Sequence, residues 1–314
     1  MTNCLMLPRL DTMKTFAALV ALGLSSACVM ALPDYEPFAD ATGSGGTAYT
    51  VGSTLIGQKG ASGYTWMNAQ TAYTGSITPT ITAGNLSISG LAPAQGNSVQ
   101  LGGIGNVARL GFTPAGSPYG SGATVYYSFA MQLRDLTGIN TSTGAWWAGL
   151  NNSLGTQAAA PTQVGTRVMT RAATGGFNLG TSKNSSATAD LVFSPTLFTT
   201  SDVIFVVGSY TCNTGSTTDD VSRMWINPDS STFGALTEPG ATLTATTGAD
   251  INLSQLASFI VADRAGTPGV VMDELRIGLS WAAVTPMVPE PSSLALVGLG
   301  LAALLARRVA ARKQ

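Results

Sequence analysis

The chain has 314 residues, 45% of them hydrophobic and only 10% charged, with 37 Gly and 15 Pro; that composition favours strands joined by tight loops, in one large β domain or two ordinary ones. The net charge of −1 is unevenly spread: residues 32–288 hold nine bases and fourteen acids, a net of −5, so this body repels nucleic acid and no nucleic-acid partner is expected. The chain has no histidine, which removes Ser-His-Asp and Cys-His nucleophiles, His-ligated zinc and a histidine general base.

The first predicted element is a leader. "MKTFAALVALGLSSACVMA" (13–31) runs from a basic residue through an apolar stretch to small residues, the layout of a secretory signal peptide, expected as an N-terminal signal helix over 1–31. "MTNCLMLPRLDT" before it lacks that pattern, so Met13 is read as the true start. Cleavage is placed after Ala31, with Ala27 as the alternative. A lipoprotein box ending at Cys28 would want Leu where Ser25 stands. Of the three cysteines, Cys4, Cys28 and Cys212, only Cys212 is left in the mature body. A lone thiol makes no intramolecular disulfide, and without a His partner it is read as a passive, buried side chain.

The middle, 32–286, reads as strands. "ATVYYSFAMQLRDL" (123–136) alternates Val125, Tyr127, Phe129, Met131 and Leu133 against polar or small residues, the period of a strand with one face on a core. "DVIFVVGSY" (202–210) is continuously apolar, as in a strand buried on both faces. "DDVSRMWIN" (219–227) is ended by Pro228-Asp229, "SFIVAD" (258–263) is another strand, and "VVMDELRIGLSW" (270–281) puts Leu275, Ile277, Leu279 and Trp281 on one face. "NLSISG", "SVQLGG", "AWWAGL", "TRVMTR" and "FNLG" supply shorter strands. The prediction is an all-β, two-sheet antiparallel sandwich with Val125, Phe129, Ile204, Val206, Ile226, Leu275 and Ile277 buried. "MDELRIGLSWAAVTP" (272–286), "VSRMWINPD" (221–229) and the opening "YEPFADATGSGGTAYTVGSTLIGQKGASGYTW" resemble laminin-G/concanavalin-like jelly rolls, and the resemblance implies that topology.

Such jelly rolls include glycosidases, whose paired carboxylates share a strand face. The Glu-x-Asp-x-Glu pattern of one such family does not occur here. Asp273 and Glu274 are adjacent, hence expected on opposite faces, and Asp219 and Asp220 share that defect. Asp34 and Glu36 have suitable spacing but are expected in a mobile end beside the cleavage point. No catalytic residue is assigned and no enzyme activity is expected. No cofactor is required, although Asp219, Asp220 and Asp229 flank one strand and are calcium candidates, since oxygen ligands suffice for calcium; solvated turn residues are the plainer alternative. "GGIGNVA" (102–108) echoes a dinucleotide loop, but "RLGFTPAGSP" after it cannot form the helix such a loop needs. Trp146-Trp147, near Asn151-Asn152, offer a sugar platform, with one of the two Trp expected in the core.

The tail, 287–314, has three parts in fixed order: Pro289-Glu290-Pro291, the apolar run 292–306, and Arg307, Arg308, Arg312 and Lys313. The prolines keep the first part extended. The run, as a C-terminal transmembrane helix, is short against the roughly 20 residues of a full span, and the bases hold its end on the cytoplasmic side of the membrane. This order resembles the PEP-CTERM sorting signal of Gram-negative bacteria. The resemblance implies export, transient membrane anchoring, processing by an exosortase near Pro-Glu-Pro, and an extracellular or cell-surface life linked to exopolysaccharide. The resulting expectation is a non-enzymatic surface or matrix protein. A carbohydrate-binding module is the alternative, and a glycoside hydrolase a third.

Overall fold

A computed structural model describes residues 32, 34–39, 49–59, 65–73, 79–102, 105–112, 119–120, 122–264 and 266–287. Among them the strands in chain order are β1 (Asp34–Glu36), β2 (Trp66–Asn68), β3 (Thr80–Thr82), β4 (Ser98–Leu101), β5 (Val107–Gly111), β6 (Thr124–Asp135) and β7 (Ala145–Asn151). They continue as β8 (Val164–Ala173), β9 (Gly176–Thr181), β10 (Val192–Phe193), β11 (Ile204–Thr211), β12 (Val221–Ile226), β13 (Leu243–Ala245), β14 (Ser258–Ala262) and β15 (Gly269–Gly278). Sheet 1 has the order β13-β12-β11-β6-β15-β4-β3, with β1 added alongside β15; sheet 2 has the order β10-β9-β8-β7-β14-β5-β2. Neighbours pair antiparallel throughout, and the chain crosses between sheets at β1–β2, β2–β3, β4–β5, β5–β6, β6–β7, β10–β11, β13–β14 and β14–β15. This is a two-sheet antiparallel jelly-roll sandwich.

The alternation read in 123–136 becomes β6, whose Val125, Tyr127, Phe129, Met131 and Leu133 all enter the core between the sheets. Ring contacts join the layers: Phe129 of sheet 1 meets Trp147 of sheet 2 with centroids 5.5 Å apart, and Tyr127 meets Phe259 at 5.2 Å. Burying each such side chain contributes roughly 1.5–3 kcal/mol. The Tyr127 hydroxyl is satisfied by donating to the Thr166 carbonyl at 2.7 Å. Its ring lies over Gly208, the residue opposite it on β11, where a Cβ would fall inside the ring. The apolar run 202–210 becomes β11, buried on both faces: Ile204 and Val206 face the core, while Phe205 and Val207 meet Trp225, Phe233 and Trp281 outside sheet 1.

Several expectations are corrected. Asp34 and Glu36 do not lie in a mobile end, because β1 pairs with β15 in the register Asp34↔Ile277 and Glu36↔Leu275. Both carboxylates are buried, and Glu36 accepts from the Phe38 amide at 2.9 Å and the Tyr49 hydroxyl at 2.7 Å. "NLSISG" (85–90) is not a strand; it belongs to a loop laid over the outer face of sheet 1, with Leu86 on Ala130 and Val271. Trp281 leaves the face of Leu275 because Ser280 caps a one-turn helix, α1 (Trp281–Val284), that packs Trp281 against Trp225. Among the described residues no helix is long and apolar enough to cross a membrane; the expected signal helix and the run 292–306 lie outside them.

Candidate functional site

Three places carry the chemistry singled out in the sequence. At one end of the sandwich, Asp219 and Asp220 precede β12, and their carboxylates meet that of Asp250, with one oxygen of each within 4.8 Å of the others. Asp229 does not join them. A six-residue strand separates it from Asp220, roughly 20 Å of chain, and Asp229 instead caps a 3₁₀ turn by accepting from the Ser231 amide at 2.8 Å. That bond holds the exposed Asp229 carboxyl below its usual range. Asp250, from an irregular segment, takes the third place.

The acidic cluster already contains a cation. Lys183, fully buried, sets Nζ 2.7 Å from Asp250 Oδ1 and also donates to the Thr218 and Thr246 carbonyls. Both Asp250 oxygens accept backbone amides, from Asp219 and Asp220 at 3.1 Å. Asp220 accepts from the Asn213 amide at 2.6 Å and the Tyr210 hydroxyl at 2.8 Å. Burial nevertheless raises the Asp220 carboxyl above its usual range, with Asp250 adding repulsion. With Lys183 and these donors occupying the oxygens, the arrangement lacks the 6–8 free oxygen ligands that calcium takes. It works as a buried clamp tying the end of β9 to the loops before β12 and β14. An open cleft adjoins it, lined by Gln163, Asn184, Thr217, Asp250 and Asn252; Gln163 Oε1 is spent on Asn184 and on the Asn252 amide.

The second place is β15. Val270, Met272, Leu275 and Ile277 all face the core, which a regular period of two forbids. A bulge resolves the conflict: Asp273 lies opposite Ala130 but Arg276 opposite Ser128, one residue more on β15 than on β6. Glu274 absorbs the bulge at φ 56, a conformation that costs a non-glycine residue of order 1–3 kcal/mol. The expectation that Asp273 and Glu274 point to opposite faces is therefore overturned, since both stand on the outer side. Glu274 is ionically paired to Arg276 at 2.8 Å and accepts from the Gln95 amide and the Tyr35 hydroxyl. Asp273 accepts from the Leu86 amide at 2.8 Å and the Glu274 amide at 2.7 Å. Burial, then repulsion by Glu274, pushes the Asp273 carboxyl up to about 8. Neither carboxyl is open to a substrate, since Asp273 is 0% exposed and Glu274 4%. Their hydrogen bonds hold the 85–97 loop down, and the crevice beside Glu274 is walled by Leu86, Ile88, Leu91 and Phe205.

The third place is "AWWAGLN". Trp147 is in the core, its Nε1 donating to Thr170 Oγ1 at 3.1 Å, whereas Trp146 is half-buried on the outer face of sheet 2. Arg264 and Arg167 lie against its ring, at 5.0 Å and 5.6 Å from the centroid. Asn151 and Asn152 bond to the Gln163 and Asn252 carbonyls and are not turned toward Trp146. Cys212 is buried and free, and burial pushes its thiol up to about 12, so it is inert. Sequence reasoning missed Asp250, Lys183, Arg167 and Arg264, because no spacing or periodicity links them to their partners.

Pro289, Glu290, Pro291, Arg307, Arg308, Arg312 and Lys313 lie outside the described residues. No curated protein matches the chain in sequence. Similar solved structures include an endo-β-1,4-glucuronan lyase from the fungus Trichoderma reesei, with 11% identity over 70% of this chain and 97% of that one at TM-score 0.41. Domain 4 of AbnA, an extracellular arabinanase from Geobacillus stearothermophilus, shares 16% identity over 74% of this chain and 91% of its own at TM-score 0.37. The alginate lyase Aly36B shares 12% over 68% and 95%, at TM-score 0.36. The tail, with its Pro-Glu-Pro, apolar run and terminal bases in order, matches a family model over residues 288–313, and the chain carries a PEP-CTERM protein-sorting motif.

Proposed function

We propose that this chain is an exported, non-enzymatic protein of the cell surface or extracellular matrix, held at the inner membrane by its tail until an exosortase processes it near Pro289-Glu290-Pro291. The observation that carries this reading is the sorting motif over 288–313. Its 15-residue apolar run, 292–306, contains Gly298 and Gly300, which suits a temporary hold better than a permanent span. The four bases after it keep the tail's end cytoplasmic while Pro-Glu-Pro meets the outer leaflet. A non-enzymatic body is supported by the absence of histidine and by the burial of the carboxylate pairs Asp34/Glu36 and Asp273/Glu274. A life beside exopolysaccharide follows from the resemblance of the tail to its sorting family.

The test places an epitope tag after Gln314 and follows it by fractionation. Extracellular protein is expected to lack the tag, and replacing Pro289, Glu290 and Pro291 with alanine is expected to retain tagged protein in the membrane. Tagged protein in the medium, or unchanged processing of the alanine variant, overturns the reading.

A further inference from the structure

The chain leaves the sandwich over the outer face of sheet 1. After α1 the Gly234 amide donates to the Thr285 carbonyl at 2.8 Å, and Met287 bridges to Leu91. The loop 229–241 lies against this exit and is pinned on both sides. Trp281 Nε1 donates to the Thr232 carbonyl at 2.8 Å, and Trp225 Nε1 to the Pro239 carbonyl at 2.9 Å. Phe233 and Ala235 pack into the cluster of Phe205, Trp225 and Trp281. Between those anchors Leu236 stands out, 99% exposed, and Met287, whose side chain lies beside Gly234, is 54% exposed.

Single exposed apolar side chains are ordinary on a protein surface. These two are set apart by what adjoins them. Four residues, 288–291, separate Met287 from the apolar run that begins at Ser292. At no more than about 3.6 Å per residue, the covalent chain holds Met287 within roughly 18 Å of Ser292. The headgroup layer takes up about 5–7 Å of that reach. The end of the body that bears Leu236 is therefore tethered at the lipid surface whenever the run is in the membrane. The loop 229–241 contains no Lys or Arg. Its Glu238 is held by Arg223 and the Tyr126 hydroxyl, and its Asp229 caps a turn. Nothing on it recruits anionic headgroups, so the contact it offers is apolar.

We propose that in the unprocessed chain Leu236 and Met287 dock on the membrane interface, entering the boundary between headgroups and acyl chains and seating the body against the bilayer. This rests on the reading that the run 292–306 holds the chain in the membrane. A loop pinned at Thr232, Gly234 and Pro239 presents Leu236 with little left to order on docking. The tether supplies the local concentration that two apolar side chains need. Once the tail is removed, they are too few to hold the body on a bilayer, and the contact ends with the processing.

The test reconstitutes the full-length chain in phosphatidylcholine vesicles with an environment-sensitive thiol probe at one position. The background is Cys4→Ser/Cys28→Ser, since Cys212 is buried. Leu236→Cys is compared with Val297→Cys, within the apolar run, and with Leu197→Cys, a 49% exposed position beside the β8–β9 turn. The probe at 297 is expected in lipid and that at 197 in water. The probe at 236 should be quenched at least about twofold more by a nitroxide at the headgroup boundary than by one at the bilayer centre, as for side chains that enter about 5–10 Å. A Gly-Ser linker of about twelve residues between Met287 and Val288 should lower that quenching at least about twofold. Added phosphatidylglycerol should not raise it. Position 297 in lipid with 236 in water overturns the docking and leaves the anchoring standing; position 297 in water overturns both. Quenching at 236 that matches 197, or that the linker leaves unchanged, also overturns the docking. Cover at 236 found in native membranes but not in pure lipid assigns the face to a protein and overturns it too.

Discussion

Asp273 shows how one residue's surroundings set a pH response. Its folded carboxyl lies near 8 because it is buried, against about 4 in an unfolded chain. Between those values the folded state holds a proton that the unfolded state has lost, so stability falls as pH rises, by at most about 1.4 kcal/mol per pH unit. Below pH 4 both states are protonated and the penalty vanishes; above 8 it is constant. Urea midpoints measured from pH 4 to 9 should therefore decline through this window, and the decline should flatten in Asp273→Asn. An unchanged slope in the variant would assign the dependence to other groups. None of this is legible in "VVMDELRIG", where a regular period of two puts Asp273 on the face of Leu275 and Ile277. The bulge that buries it depends on contacts with Ala130 and with a loop nearly two hundred residues upstream.

At the scale of elements, β11 and the rim clamp make opposite points. The buried character of β11 was readable, since an unbroken apolar run has no polar face to leave outside. The role of Gly208 was not, because its partner Tyr127 lies on β6. Gly208→Ala should drive a methyl into the Tyr127 ring and cost about 1–3 kcal/mol or more, read as a lower denaturant midpoint with an unchanged slope. In the clamp, Lys183 stands at the end of β9 and its acceptors come from two loops. Removing the ammonium leaves Asp250 buried and uncompensated, so Lys183→Met should destabilise by about 3–5 kcal/mol. Millimolar calcium should shift the wild-type thermal midpoint by less than about 1 °C. A rise of several degrees would return the cluster to the metal sites.

On the scale of the whole molecule, a β-sandwich body is followed by a sorting motif over residues 288–313. The mature N-terminus is expected at Leu32, checked by mass spectrometry of exported protein; a peptide containing residues 2–12 would refute a start at Met13. Short strands such as β1, β3 and β5 were missed in sequence because three to five residues carry too little alternation to separate them from loops. Their pairing with β15, β4 and β14 is what defines them.

The amino-acid sequence by itself determined the features written in local order. These are the all-β class from alternation and composition, the inward faces of β6 and β11, the inert lone cysteine, and the tail whose Pro-Glu-Pro, apolar run and bases work as a linear signal. Only the tertiary structure decided which distant side chains share a site. It put Asp250 and Lys183 beside Asp219 and Asp220, sent Asp229 to the far end of β12, turned Asp273 and Glu274 to one side, and set Arg167 and Arg264 against Trp146. The physical reason is that a signal read by an enzyme along an extended chain needs only neighbours in sequence. A buried charge or a stacked guanidinium is fixed by strands paired across a hundred residues, and no window of the sequence contains both partners.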